Sequence, residues 1–125
     1  MRLLLDTHTL LWWLSNDPSL TQVARAAIGR PEADVAVSAA SAWEVAIKTS
    51  LGKLTAPPDL EAQLTRHRFT PLPITVGHAL VAGSLPRHHD DPFDRMLVAQ
   101  ARLEGMTLVT RDLRIGLYGV PTIPA

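Results

Sequence analysis

Short, wholly apolar segments alternate along this chain with longer segments in which apolar residues recur every three or four positions. The first pattern predicts strands buried on both faces, and the second predicts helices with one apolar face. The predicted strands are Arg2–Leu5, Asp34–Val37, the proline-interrupted segment Phe69–Ile74, Met106–Val109 and Val120–Ile123. The first predicted helix follows the first strand and continues through Leu14, and the second runs from Ser19 or Thr21 to about Ile28. The others cover Ser38–Leu51, Asp59–His67, Thr75–Ser84 and a segment that Asp91 caps and that ends before Gly105.

Strands that alternate with helices at this spacing predict an α/β fold, a three-layer α/β/α sandwich with a short central parallel sheet. The chain has 125 residues and contains no repeat or linker, so we expect a single domain over residues 1–125. Within the third helix, we expect Ala40, Trp43, Ile47 and Leu51 to form the apolar face. The three Trp residues are expected in the core or in a dimer interface rather than stacked on bases, since they stand at helical spacing.

The composition limits the kinds of metal site and nucleophile that this chain can form. The sequence has no Cys, which excludes disulfides, thiolate zinc sites and a Cys nucleophile, so any metal must be held by oxygen or imidazole. No apolar run is long enough to span a membrane, and the apolar stretch Leu3–Leu5 is ended at once by Asp6. We therefore expect a cytoplasmic protein without a membrane partner.

The formal net charge is zero, with 12 basic and 12 acidic side chains. This balance argues against a basic protein that coats nucleic acids, because counterion release needs a cationic surface. If four of the acids formed a metal site, however, the rest of the molecule would carry an excess of cations.

Four acidic residues that are far apart in sequence are predicted to meet at one edge of the sheet. Asp6 directly follows the first strand, and Glu44 lies near the start of the helix after the second. Asp94 is in the first turn of the helix that leads to the strand Met106–Val109, and Asp112 follows that strand. Parallel α/β sheets bind ligands at the carboxyl ends of their strands, which is where these acids fall.

Clustered carboxylates repel one another and need a counter-charge, which a divalent cation supplies. Magnesium suits such a site because it binds through few carboxylates and keeps waters and substrate phosphate as its other ligands, and manganese has similar preferences. The pattern therefore predicts metal-assisted chemistry on a phosphate.

Each acid also has a purely structural interpretation. Asp6 could cap the helix that follows it. Ser41 and Glu44 match a capping box, and Glu44 could instead pair with Lys48 one helical turn later.

Asp94 follows Asp91 by three residues, which again resembles a capping box, and Asp112 could simply begin a turn. Asp94 also shares a helix face with Val98 and Ala101, which should face the sheet. A charge on a buried face is costly without a partner, so a structural role does not explain Asp94.

Together these acids lie in four segments that resemble the PIN-domain nucleases, and among them the VapC toxins. The segments are LLLDTHT from Leu3, SAASAWEVAIK from Ser38, DPFDRML from Asp91 and LVTRD from Leu108. They stand in the order of that family and span most of the chain.

The resemblance implies a PIN-like, Rossmann-like sandwich and a toxin that cleaves RNA, such as tRNA or ribosomal RNA, with magnesium. It also implies a homodimer and a VapB-type antitoxin whose tail enters the active site. Asp6 and Asp94 look like the principal metal ligands, and Glu44 and Asp112 would complete the catalytic set. The residues similar to polar neighbours that orient these acids are Thr7, Thr110 and Arg95.

Two other function classes remain as alternatives. A strand followed by Asp6-Thr-His8-Thr resembles phosphatases that form an aspartyl phosphate, but those enzymes need a second acid where this chain has His8. A non-catalytic RNA-binding or scaffold protein of the same fold is the other alternative, although such a protein would have no use for all four acids.

The segment His88-His89-Asp90-Asp91 could suggest a transition-metal site. Adjacent side chains do not easily face one ion together, so we expect a solvated loop that leads into a helix cap.

Overall fold

The computed structural model describes residues 1–125 and contains five strands and seven helices. The strands are β1 (Arg2–Leu5), β2 (Asp34–Ser38), β3 (Thr70–Leu72), β4 (Thr107–Thr110) and β5 (Thr122–Pro124). The helices are α1 (Thr7–Leu14), α2 (Gln22–Gly29), α3 (Ala39–Ser50), α4 (Leu60–Arg66), α5 (Val76–Ser84), α6 (Pro92–Glu104) and α7 (Leu113–Gly116).

The five strands form one sheet in the order β3-β2-β1-β4-β5, and every neighbouring pair is parallel. Strand β1 lies at the centre with β2 on one side and β4 on the other. The predicted α/β sandwich with a short parallel sheet is confirmed. Because all strands run the same way, the segments after β1, β2 and β4 leave the sheet at a common edge.

The side chains of β1 alternate between two apolar cores, one on each face of the sheet. Leu3 and Leu5 belong to a cluster that includes Ala24 and Ile28 of α2. Leu4 belongs to the opposite cluster, with Leu97, Val98 and Ala101 of α6 at its centre. All three leucines of β1 are fully buried, which explains why the strand is apolar at consecutive positions from Leu3 to Leu5.

Local signals set most of the helix ends. The side chains of Thr21 and Ser38 accept hydrogen bonds from the backbone N–H groups of Ala24 and Ala40 at the starts of α2 and α3. Gly105 ends α6 in the left-handed conformation with φ 67°, which a glycine adopts without strain. No helix is long and apolar enough to cross a membrane.

Three elements differ from the sequence-based expectation. The third strand was expected over Phe69–Ile74 but is limited to Thr70–Leu72. The last strand was expected at Val120–Ile123 but pairs over Thr122–Pro124, because Gly119 turns with φ 77° and Val120 and Pro121 lead from this turn into the strand. The short helix α7 was not expected at all. It is capped by Asp112, whose Oδ1 atom accepts a hydrogen bond from the backbone N–H of Arg114.

The apolar face expected for α3 is correct at Ala40, which is buried, but wrong at Trp43 and Leu51. Trp43 and Leu51 are 62% and 61% exposed, whereas Glu44 is only 4% exposed and faces the interior together with Val45. Trp43 instead makes an edge-on contact with Phe93 of α6, with ring centres 5.5 Å apart. The helix is rotated so that its buried face carries an acid toward the edge of the sheet, which the apolar spacing alone would not predict. Trp12 and Trp13 do pack half-buried against the core.

Candidate metal centre at the carboxyl edge of the sheet

The four predicted acids line one cleft at the carboxyl edge of the sheet. Asp6 joins β1 to α1, Glu44 is in α3, Asp94 is in the first turn of α6, and Asp112 joins β4 to α7. The cleft has a volume of about 560 Å³, and eleven of its twelve lining residues are polar or charged. The parallel topology thus brings together residues up to 106 positions apart.

Asp6 is both a helix cap and a wall of the cleft. Its Oδ1 atom accepts a hydrogen bond of 2.9 Å from the backbone N–H of Thr9, so the capping interpretation is correct. Its own backbone N–H continues the sheet by donating to the carbonyl oxygen of Val109 at 3.2 Å. Asp6 is only 7% exposed, and its Oδ2 atom has no hydrogen-bond donor in the chain, which leaves that oxygen available to a ligand.

Glu44 is held from two sides. Its Oε1 atom accepts a hydrogen bond of 2.6 Å from the Thr7 hydroxyl, and its Oε2 atom lies 2.5 Å from Lys48 Nζ. The pairing with Lys48 is therefore present. The capping-box alternative is wrong, because Ser38 caps α3 and Ser41 lies buried within the helix without a side-chain partner.

Asp94 is the acid of the cleft whose pKa is raised well above its ordinary value. Burial is the main cause that raises its pKa to about 7, and the negative charges of Asp91, Asp6 and Glu44 act in the same direction while His89 opposes them. Asp91 caps α6 through the backbone N–H groups of Phe93 and Asp94, so Asp94 is not needed as a cap. The charged form of the Asp94 side chain is therefore destabilised by its surroundings, and capping of α6 does not explain why an acid stands at this position.

Asp112 is the acid best supplied with hydrogen-bond donors. Its partial burial acts to raise the pKa, but hydrogen bonds from the Arg114 side chain and backbone and from His89 outweigh this and lower the pKa to about 2. Arg114 reaches both oxygens, with Nη2 3.0 Å from Oδ2 and Nε 3.2 Å from Oδ1. Asp112 therefore stays ionised at the rim of the cleft.

His89 lies in the cleft, although the sequence analysis placed it in a solvated loop. Its side chain is buried, and Nε2 lies 2.7 Å from Asp112 Oδ2 and 3.0 Å from Asp94 Oδ2. The expectation of a solvated loop is correct for the exposed His88 and Asp90 but wrong for His89. The pair of adjacent histidines was the only signal in the sequence, and it does not say which ring turns inward.

The three expected neighbours contact the acids or the backbone around them. Thr7 donates to Glu44, as described above, and the Thr110 hydroxyl accepts a hydrogen bond of 3.1 Å from the backbone N–H of Asp112. The guanidinium of Arg95 donates to four backbone carbonyls that precede α6, which belong to Ala82, Leu85, Pro86 and His89.

Cationic side chains surround the acids at the mouth of the cleft, namely Lys48, Arg111 and Arg114. The guanidinium of Arg111 lies over the ring of Trp12 at 4.2 Å from its centre and donates to the backbone oxygens of Ala125 and Ser19. An acidic floor beneath a cationic rim can bind a divalent cation and a polyanion together.

The donors on the floor of the cleft fit a hard divalent cation. Apart from His89 they are carboxylate oxygens, which magnesium and manganese prefer. A cation placed among them would stabilise the charged form of Asp94, whose pKa is raised first by burial and then by repulsion from the neighbouring acids. Asp6 lines the same cleft, and His89, Asp94 and Asp112 place their ligand atoms within 4.8 Å of one another.

Comparison with known proteins agrees with this geometry. The family described as the PIN domain matches residues 3–120. The protein named Ribonuclease VapC22 from Mycobacterium tuberculosis is 35% identical over 122 residues, which cover 94% of this chain and 92% of that protein.

Solved structures share the fold. The structure of VapBC2 from Rickettsia felis bound to a promoter DNA fragment aligns with a TM-score of 0.72 and 14% identity, over 98% of both chains. The structure of DNA-bound VapBC from Salmonella typhimurium aligns with a TM-score of 0.65 and 21% identity, over 98% of this chain and 97% of that chain.

Proposed function

The chain belongs to the PIN-domain family, and on this basis we propose that it is a metal-dependent ribonuclease that acts as the toxin of a toxin–antitoxin pair. The observation that supports the proposal most strongly is the cleft lined by Asp6, Glu44, Asp94 and Asp112. Hydrogen bonds fix the directions of the Asp6, Glu44 and Asp112 side chains. The charged form of Asp94 is disfavoured, as its raised pKa shows, and a bound cation would stabilise that form.

The ion is magnesium, with manganese as a substitute, and Asp6 and Asp94 are its principal ligands. When bound, a divalent cation polarises the scissile phosphate and lowers the pKa of a water molecule. Glu44 completes the negative floor, and its bonds to Thr7 and Lys48 keep it from turning away. Asp112 acts from the rim, where its low pKa keeps it charged across the physiological range.

The reaction adds water across a phosphodiester bond of RNA. The water oxygen forms a bond to phosphorus, the bond from phosphorus to the leaving oxygen breaks, and a proton reaches the leaving oxygen. Lys48, Arg111 and Arg114 at the mouth of the cleft would attract the flanking phosphates. Loops of tRNA or ribosomal RNA fit best, because splayed nucleotides can enter a cleft that a duplex cannot.

A VapB-type antitoxin is the proposed partner, and a homodimer is the proposed state of the toxin. The relatives in the solved structures are described as VapBC complexes. In this chain, large apolar side chains that are more than half exposed offer surface for such contacts, namely Met1, Val23, Trp43, Leu51, Val76, Leu80, Leu113 and Leu117. An RNA-cleaving toxin acts where RNA is, so the proposed site of action is the cytoplasm.

Substitution of the proposed ligands tests this function. Asp6→Asn and Asp94→Asn should each abolish magnesium-dependent cleavage of a panel of structured RNAs while the protein remains folded. Asp34→Asn is the matched control, because Asp34 begins β2 at the opposite edge of the sheet and is exposed. Substantial cleavage by either ligand variant would contradict the proposal.

Assays on the same protein samples distinguish RNA cleavage from the two alternative functions. A phosphatase that forms an aspartyl phosphate would hydrolyse a phosphomonoester such as p-nitrophenyl phosphate and leave the RNA chain intact. A scaffold protein would bind RNA without cleaving it, with or without magnesium. Neither outcome is expected, because His8 stands where such a phosphatase needs its second acid and all four acids of the cleft are in place.

A further inference from the structure

The side chain of His89 bridges two acids that come from different parts of the fold. Its Nε2 atom lies 3.0 Å from Asp94 Oδ2, on α6, and 2.7 Å from Asp112 Oδ2, after β4. A metal ligand and a donor that holds the carboxylates are both compatible with these distances, so the role of His89 depends on which ring nitrogen carries the hydrogen.

The hydrogen bond at the other ring nitrogen, Nδ1, identifies which nitrogen carries the hydrogen. The backbone N–H of Asp91 donates a hydrogen bond of 3.1 Å to His89 Nδ1, so Nδ1 must accept and cannot carry a hydrogen. In a neutral ring the hydrogen is then on Nε2, which faces Asp94 and Asp112 as a donor and has no lone pair to offer an ion. His89 cannot bind a metal in this arrangement.

We infer that His89 is a positioning residue that holds the carboxylates of Asp94 and Asp112 at a fixed separation through its Nε2–H group. The inference rests on the proposed function, since it concerns the same site. Without a donor between them, the two acids would repel each other and Asp94 could turn to another rotamer. A carboxylate held in place loses less conformational freedom when it binds an ion, and such outer hydrogen bonds strengthen metal affinity.

His89 is itself held on both sides. Its backbone N–H donates to the Tyr118 hydroxyl at 2.9 Å, and that hydroxyl donates to the carbonyl oxygen of Pro86 at 2.7 Å. Its carbonyl oxygen accepts a hydrogen bond of 3.2 Å from Arg95 of α6. The segment before α6 is thus fixed to α6 and to the chain after α7, which explains how one buried ring keeps its direction in a loop.

The test compares manganese binding by calorimetry, without RNA, in the full-length wild-type protein and its variants. His89→Leu fills the space without a donor, and we expect it to weaken manganese binding by about tenfold, the lower end of the effects known for such contacts. His89→Gln places an amide donor at the position of Nε2 and should recover most of the affinity. His88→Leu is the matched control, because the neighbouring ring is exposed and contacts only the edge of Tyr118.

A double substitution shows whether the effect passes through Asp112. In an Asp112→Asn background, His89→Leu should weaken manganese binding much less than it does in the wild type, because one bridged carboxylate is already changed. Equal losses in both backgrounds, or a His89→Gln variant as weak as His89→Leu, would overturn the inference. So would wild-type affinity in His89→Leu.

Spectroscopy of the wild-type protein gives an answer even if His89→Leu does not fold. Long-range 1H–15N correlation spectra of the imidazole, recorded with magnesium, should show a hydrogen on Nε2 and none on Nδ1. A hydrogen on Nδ1, or an Nε2 atom that carries no hydrogen when magnesium is bound, would overturn the inference. Failure of the proposed function is distinguishable, because then Asp94→Asn would bind manganese as tightly as the wild type.

Discussion

The hydroxyl of Thr7 donates a hydrogen bond of 2.6 Å to Oε1 of Glu44, a residue 37 positions further along the chain. Both side chains are buried, and the bond joins the segment after β1 to the helix after β2. Glu44 is therefore held toward the cleft by a residue that is adjacent in sequence to Asp6. The segment that contains Asp6 and Thr7 therefore helps to position both Asp6 and Glu44.

Replacement of Thr7 by Val should destabilise the protein, because the isosteric side chain leaves one oxygen of a buried carboxylate without its donor. The expected loss in the free energy of unfolding is about 1–3 kcal/mol, measured by urea denaturation in chelator. Thr7→Ser keeps the hydroxyl and should lose less. Equal stability of the Val and Ser variants would show that the hydrogen bond contributes nothing.

The raised pKa of Asp94 predicts how stability depends on pH without metal. Its pKa rises from 3.8 to about 7 on folding, so the folded state favours the protonated form. The stability that the protonated Asp94 side chain contributes is fully present below about pH 4 and is lost as the pH rises through about 7. In chelator, the free energy of unfolding of the wild type relative to Asp94→Asn should fall over this range, by at most about 4 kcal/mol.

Comparison with Asp94→Asn cancels the contributions of the other acids. Asp112 has a lowered pKa, so its contribution is lost only as the pH falls below 4, outside the window that matters here. Saturating magnesium should remove the fall, because the ion stabilises the charged form. A difference between the two proteins that stays constant from pH 4 to 8 would contradict the raised pKa.

The oxygen donors of the cleft predict which ions support RNA cleavage. Chelation should abolish cleavage, and magnesium or manganese should restore it, whereas calcium should restore it poorly because its coordination is larger and looser. Metal affinity should also weaken as the pH falls, since protons compete for the same carboxylates. Initial rates of cleavage across an ion series would measure this, and full activity in excess chelator would rule out the mechanism.

The charge of the cleft also predicts how the antitoxin inhibits. An Arg or Lys of the antitoxin should lie near Asp6 and Asp94, because a guanidinium matches paired carboxylates. The rest of the contact should be apolar, since one ion pair at a wet site gives little affinity. The dissociation constant should therefore rise as magnesium is added at constant ionic strength.

The control for this experiment is an antitoxin whose basic tail residue is replaced by Ala, which should bind more weakly and lose its dependence on magnesium. If the dissociation constant of the unaltered antitoxin does not change with magnesium, inhibition occurs at another surface.

The sequence by itself determined the sheet and the location of the acids. Wholly apolar segments such as Leu3–Leu5 must be buried on both faces, and strands separated by helices must run parallel. Asp6 directly follows β1 and Asp112 comes two residues after β4, so their place at the carboxyl edge follows from the order of the elements alone.

Only the tertiary structure decided which side chains complete the site. His89 meets Asp112 across 23 residues, and Glu44 rather than Trp43 turns inward on α3. Neither contact is set by local spacing, because each depends on how two elements pack against each other. The apolar pattern favoured Trp43, but burial of Glu44 is stabilised by Thr7 and Lys48, which the pattern does not count. A charged group can be buried wherever the fold supplies its partners, and those partners are distant in sequence.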